Sequence, residues 1–267
     1  MVIVKRRPLP TRALGTEPEV PDIPALTAWV AERREMNEAG DLTTCQITQA
    51  LAPQLDAGIT APCAGGMFYK ARLLSSFAGI TDGVITGETE ISNSDLVADS
   101  LELAGMKKGV WCALPAPHTL RLFDSYYGDE DEAITAVATL YRSAMRSMRD
   151  AGIGGHVLIC DHADDAELSA LARQKVFFFC PEPVKDDIAI LMEHQHRIAV
   201  DKVNLRQVFD FTGEYELRQI VILDADAESI ALALSHLDPD QIVIGGYCTG
   251  PCETYWKEIA DSAFYKA

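Results

Sequence analysis

Near the end of the chain, the run Gly245-Gly246-Tyr247-Cys248-Thr249-Gly250-Pro251-Cys252 sets two cysteines four residues apart on a glycine-rich turn. Thiolates bind zinc and softer metals, and a metal-held thiolate stays nucleophilic at neutral pH because its pKa is depressed. The same pair also reads as two small apolar side chains under a tight turn. Other segments carry groups of similar reactivity. Cys160-Asp161-His162 joins a thiol, a carboxylate and an imidazole, a set suited to proton transfer or ligation. Cys180 closes the apolar run VFFFC, where a buried structural thiol is the competing reading. His118-Thr119 follows Pro115-Ala116-Pro117, and Asp201 ends the run RIAVD. His194 and His196, in EHQHR, read as residues of a solvated helix end.

These groups share a context. Short apolar, β-rich runs occur at 83–86, 109–114, 155–160, 176–180, 197–200, 219–223 and 241–244, and nearly every gap between them has room for a helix. Helical periodicity marks 25–39, 43–57, 92–104, 129–150, 166–173, 184–193 and 227–237. The clearest is 129–150, with acids in its first turn and arginines in its last turns, as the helix macrodipole favours. Strands that are apolar on both faces, each followed by a helix, imply a parallel sheet covered on both sides. About seven or eight such units, with no Gly-x-Gly-x-x-Gly fingerprint and no phosphate-binding loop, favour closure into a (β/α)8 TIM barrel over an open sheet.

Residues 1–22 are rich in proline and polar groups and read as an extended lead-in. A single barrel domain is then expected over 23–267. Chemistry in such a barrel collects at the C-terminal strand ends. That edge would gather Glu88 and Glu90, His118 and Thr119, Cys160-Asp161-His162, Cys180 with Glu182, Asp201, Asp224 with Asp226, and Cys248 with Cys252. Four of the seven cysteines fall there, more than their use as ordinary core residues would give.

Composition narrows the partners. The 267 residues are 48% hydrophobic, enough for a large core, yet no apolar run reaches the roughly 18 residues of a membrane span. The opening MVIVKRRPLPTRALG lacks a signal peptide's apolar h-region, so a cytoplasmic protein without a membrane partner is the expectation. Seven dispersed cysteines do not form the framework of a small secreted domain, and most are expected as reduced thiols. A net charge of -17, with only Lys5-Arg6-Arg7 clustered, opposes nucleic-acid binding. Met145 and Met148 have the spacing of core residues. Tyr126-Tyr127 and Trp256 fit a pocket or a homo-oligomer interface equally well.

Several segments share a further pattern. LPAPHTL at 114–120 is similar to a Pro-Gly-Pro-x-Thr-Leu strand end, and the long helix after it closes in MRDAG. APQLDAGIT at 52–60 is similar to a glutamine-bearing helix, and Ala13-Leu14-Gly15-Thr16-Glu17-Pro18 to a Gly-Ser-x-Pro opening loop. With these features the chain resembles the cobalamin-independent methionine synthase family, in its catalytic C-terminal barrel, and more loosely the wider uroporphyrinogen decarboxylase-like superfamily. The resemblance implies transfer of a methyl or related one-carbon group to a small-molecule thiol at a zinc site. It implies substrate contacts at Gly15, Thr16, His118 and Thr119. Asp161 stands where the family's Asp-Glu-Pro aspartate binds the substrate amino group, and His162 beside it is a candidate for proton transfer.

For zinc, Cys180 stands at the cysteine of a His-x-Cys pair, Asp201 where a glutamate would be, and Cys248 at a late cysteine. Cys252, His162 or a substrate thiolate would complete the shell. The departures are specific: Phe178 replaces the histidine of His-x-Cys, His162-Ala163 replaces Glu-Pro, and Ala61-Pro62-Cys63-Ala64-Gly65-Gly66 stands at the family's Asp-Gly-Glu. Without the folate-binding half of the long enzymes, the expected methyl donor is a corrinoid, carried by a partner protein. A metal-free lyase or decarboxylase, and a barrel kept only for binding or assembly, are the alternatives.

Overall fold

Eight short strands carry the fold. In the computed structural model, which describes residues 6–266, they are β1 (Thr11–Glu17), β2 (Cys63–Gly65), β3 (Trp111–Pro115), β4 (Gly155–Ile159), β5 (Val176–Phe179), β6 (Arg197–Asp201), β7 (Gln219–Leu223) and β8 (Ile242–Thr249). They form two four-stranded parallel sheets, ordered β6-β7-β8-β1 and β2-β3-β4-β5. At one seam Arg12 bridges in parallel to Ala61, and the Ala13 N–H donates to the Ala61 carbonyl at 3.0 Å. At the other seam β5 and β6 lie side by side. There the Gln195 amide takes the part of a neighbouring strand: it accepts from the Phe178 N–H and donates to the Phe178 carbonyl, both at 2.9 Å. Buried backbone groups on a sheet edge need such partners.

The strands from β3 onward are near-continuous apolar runs, as strands covered on both faces must be. A helix follows each one in turn, among them Leu42–Asp56 after β1, Glu130–Asp150 after β3, Asp165–Leu171 after β4 and Cys252–Ser262 after β8. The helix Glu130–Asp150 starts where the Asp129 carboxylate accepts the Glu132 N–H at 3.0 Å and buries Val137, Leu140, Tyr141, Met145 and Met148 against the sheet. Each such side chain contributes about 1.5–3 kcal/mol when fully buried. No helix among the described residues is long and apolar enough to cross a membrane.

Two expectations change. Residues 11–17, read as part of an extended lead-in, form β1, a strand paired with β8 on one side and bridged toward β2 on the other. Its polar residues concealed it, because they find buried partners: Thr16 accepts from Gln54 Nε2 at 3.1 Å. Inside this strand Gly15 adopts φ 127°, and a Cβ there would lie 2.9 Å from that of Ala113, so only glycine fits. The run at 83–86, read as one of the repeating strands, belongs instead to an antiparallel hairpin of Phe77–Thr81 with Val84–Ile91. Glu88 and Glu90 are exposed on that hairpin.

Candidate functional site

The C-terminal strand ends enclose a cavity of about 320 Å³, lined by Met67, Thr119, Arg121, Ile159, Cys160, Asp161, Pro181, Glu182 and Tyr247. A second cavity, of about 640 Å³, opens beside it under the hairpin and is bordered by His118, Arg121 and Glu167. His118 and Asp161 thus stand between the two.

The 3-10 turn Pro117–Leu120, closed by Arg121 at φ 55°, carries His118 off the end of β3. Its ring is held from both sides. Nδ1 meets Glu167 Oε2 at 2.9 Å and Nε2 meets Asp161 Oδ1 at 2.8 Å, while the His118 backbone N–H donates to Glu167 Oε1. Burial opposes charge on the imidazole, but the bonds to Glu167 and Asp161 outweigh it, and the His118 pKa is raised. Asp161 leaves the end of β4 and accepts a second bond, from His162 Nδ1 at 2.7 Å. Slight desolvation is overcome by the two histidines, and the Asp161 pKa is lowered. The two rings stand 4.2 Å apart at their centres. The following Ala163 N–H donates to Asp187 at 2.8 Å, anchoring the loop that carries this pair.

Across the mouth, Glu17 ends β1 and accepts from the Met67 and Phe68 N–H groups and from the Tyr247 hydroxyl at 2.6 Å. Burial and the adjacent Glu17 push the Tyr247 phenol up, which keeps it a neutral donor. Tyr255 repeats the arrangement behind it, donating to Asp224 at 2.7 Å and accepting from the Tyr247 N–H at 3.0 Å.

The cysteines do not meet as a ligand set. Cys248 and Cys252 are joined to each other as a disulfide, so neither offers a thiolate. Cys180 is buried beside Cys160, whose thiol donates to the Phe179 carbonyl at 3.3 Å; the closeness of the two thiols lowers the Cys180 pKa and raises that of Cys160, while burial disfavours the thiolate of both. Asp201 accepts the Asn204 N–H at 2.8 Å in the turn before the helix Leu205–Phe211. Among the described residues, the cluster with metal-ligand spacing is His118, Asp161 and His162, whose ligand atoms lie within 4.8 Å of one another. It shares His162, one candidate for completing the shell, with the set the sequence suggested for zinc, but none of Cys180, Asp201, Cys248 or Cys252.

The other candidates divide. Thr119 lines the mouth cavity and donates its hydroxyl to the Ala116 carbonyl at 2.6 Å. Gly15 and Thr16 sit within β1, both buried, with Thr16 turned to Gln54. Glu167, Glu17 and Arg121 were not singled out. Glu167 is three residues beyond Asp164, which caps the helix Asp165–Leu171 by accepting the Glu167 N–H at 2.9 Å. That spacing signals a capping box, in which the glutamate would reach back to the cap. Here it reaches to His118 instead.

No protein-family model matches the chain, and no curated protein does. Solved structures do. A Listeria monocytogenes protein assigned as a vitamin-B12-independent methionine synthase is similar with a TM-score of 0.65 and 14% identity, over 96% of this chain and 97% of its own. A B12-independent methionine synthase from a Shewanella species, in complex with selenomethionine, is similar with a TM-score of 0.56 and 16% identity, over 96% of each chain. The chain carries their fold.

Proposed function

We propose that this chain transfers a methyl or related one-carbon group to a small-molecule thiol at the strand-end mouth, and that its two sheets close as one (β/α)8 barrel around that site. The observation that carries the reading is Asp161, which borders the mouth cavity and holds His162 at 2.7 Å and His118 at 2.8 Å. A thiol acceptor must lose its proton before its sulfur can take a methyl group. Asp161 orients His162 through Nδ1 and leaves Nε2 to accept that proton, the base-plus-orienter arrangement that activates nucleophiles. The S–H bond breaks to His162, the new S–C bond forms, and the donor–methyl bond breaks. In the metal-free site, the bonds to Glu167 and Asp161 raise the His118 pKa, which favours positive charge beside a carboxylate or thiolate on the acceptor.

Alternatively, zinc would be held by His118, Asp161 and His162, both imidazoles then neutral and His162 no longer the base: two imidazoles and a carboxylate lie close together, with Glu167 on the far nitrogen of His118, as second shells of metal-bound histidines are built. Three protein ligands would leave a position for the thiol. Zinc there would lower the thiol's pKa. The cavity lies at the small end of ligand-site volumes, so it suits the acceptor alone. The donor, a corrinoid on a partner protein, would meet it from outside the mouth. The names of the two similar structures, one of them complexed with selenomethionine, support a thioether-forming reaction.

A metal-free lyase or decarboxylase is the second reading, favoured by the Glu167–His118–Asp161 chain, which already engages both ring nitrogens as an acid–base relay would. Protein purified without a histidine tag should contain about one zinc per chain and methylate a thiol such as homocysteine from a methylated corrinoid. Loss of both zinc and methylation in His162→Ala supports the first reading. A metal-free wild type that forms no thioether with any thiol tested overturns it.

A further inference from the structure

The end of the strands opposite the mouth concentrates the other sign of charge. A cavity of about 460 Å³ there is bordered by Trp111, Phe177, Arg173, Arg197 and Arg218, in a chain whose net charge is -17. Arg12, near the start of β1, is not on that lining but packs against two of its walls, its guanidinium 4.1 Å from the centre of the Trp111 ring and 5.7 Å from that of Phe177. It is only 9% exposed, and among the described residues its side chain makes no hydrogen bond or ion pair; its Nε is buried without a partner. Burial lowers its pKa to about 10, and the nearby Arg197 pushes the same way.

An aromatic face attracts a guanidinium but offers no lone pair to its N–H groups. A buried charge in this position normally has an acid opposite it. The acids nearby are engaged elsewhere: Glu216 holds Arg218 at 2.8 Å, and Asp165 holds His194 at 2.8 Å. Arg173 donates to the Ser169 and Ala172 carbonyls. Arg197 is exposed and, like Arg12, has no partner among the described residues.

We propose that this end of the barrel binds a small oxyanion, a carboxylate or phosphate group, between Arg12 and Arg197. Planar guanidinium forks match the paired oxygens of both groups, and the aromatic wall under Arg12 keeps that fork from rotating away. The site is separate from the strand-end mouth, so it stands whatever reaction runs there.

The test uses inorganic phosphate and, separately, citrate as probes, at constant ionic strength set with chloride. Thermal unfolding and tryptophan fluorescence report binding, because Trp111 lies against Arg12. The expected result is a saturable rise in Tm with a matched fluorescence change. Affinity should weaken about tenfold or more in Arg197→Gln, since a charged hydrogen bond is lost, and the response should vanish in Arg12→Met. Arg197 is exposed, so its variant keeps the fold even where the Arg12 variant does not. Response to phosphate alone identifies a phosphorylated ligand, and response to citrate alone a carboxylate one. No saturable response to either anion, or equal responses in wild type and Arg197→Gln, overturns the proposal.

Discussion

Glu167 holds His118 twice, once through Nδ1 at 2.9 Å and once through the backbone N–H. One carboxylate thereby fixes both the position of the turn after β3 and the orientation of its imidazole. The folded-state pKa of His118 lies above its ordinary value. Its charged, bonded form therefore contributes stability that is fully present below about pH 6.5 and is lost as pH rises through the folded value. Glu167→Gln should cost about 1–3 kcal/mol near pH 6 and distinctly less near pH 9. Urea unfolding at the two pH values checks this; an equal cost at both would mean that Glu167 acts through packing alone.

Asp161 has the opposite exposure and a different consequence. Its side chain is largely open to solvent, so its loss should leave the fold intact while freeing both histidines. Asp161→Asn should reduce kcat for thiol methylation by about 10²–10⁴, the usual weight of an oriented acid–base group, with an unchanged circular dichroism spectrum. A fall in stability with normal turnover would assign Asp161 to the scaffold.

The strands that could be read from sequence were those covered on both faces. WCALP, GHVLI, VFFF and QIVIL are continuous apolar runs, and both faces being buried is what makes them so. β1 was hidden because TRALGTE carries an arginine, two threonines and a glutamate, each needed where it stands. β2 is three residues, too short for any period to show. At the site, His118, Thr119, Asp161 and His162 were legible because each follows a recognisable strand end. Glu167 was not, since Asp164-x-x-Glu167 has the spacing of an ordinary helix cap. The thiols of Cys248 and Cys252 were equally compatible with ligation and with a turn, and only the tertiary geometry brings their sulfurs together.

That pairing makes a direct count. Five of the seven cysteines, Cys45, Cys63, Cys112, Cys160 and Cys180, are free. Alkylation of the denatured protein without reductant should add five groups by intact mass, and seven after reduction. Peptide mapping should find the unmodified pair at 248 and 252. Seven adducts without reductant would return both thiols to the pool of possible ligands.

The last prediction concerns how the scaffold steadies the mouth. Asp99 is 2% exposed and accepts from Tyr69 at 2.8 Å, from Arg72 Nε at 2.9 Å and from Thr44 at 3.1 Å. Tyr69 ends the turn whose Met67 and Phe68 N–H groups hold Glu17. Asp99→Ala removes the carboxylate but leaves buried donors on three elements, and breaking such a buried ionic network costs about 3–5 kcal/mol. The urea midpoint should fall accordingly. Because Tyr69 then loses its anchor, the turn should shift under Glu17, and the KM for the thiol should rise even in protein that remains folded. A large loss of stability with an unchanged KM would show that Glu17 is held by Tyr247 without help from that turn.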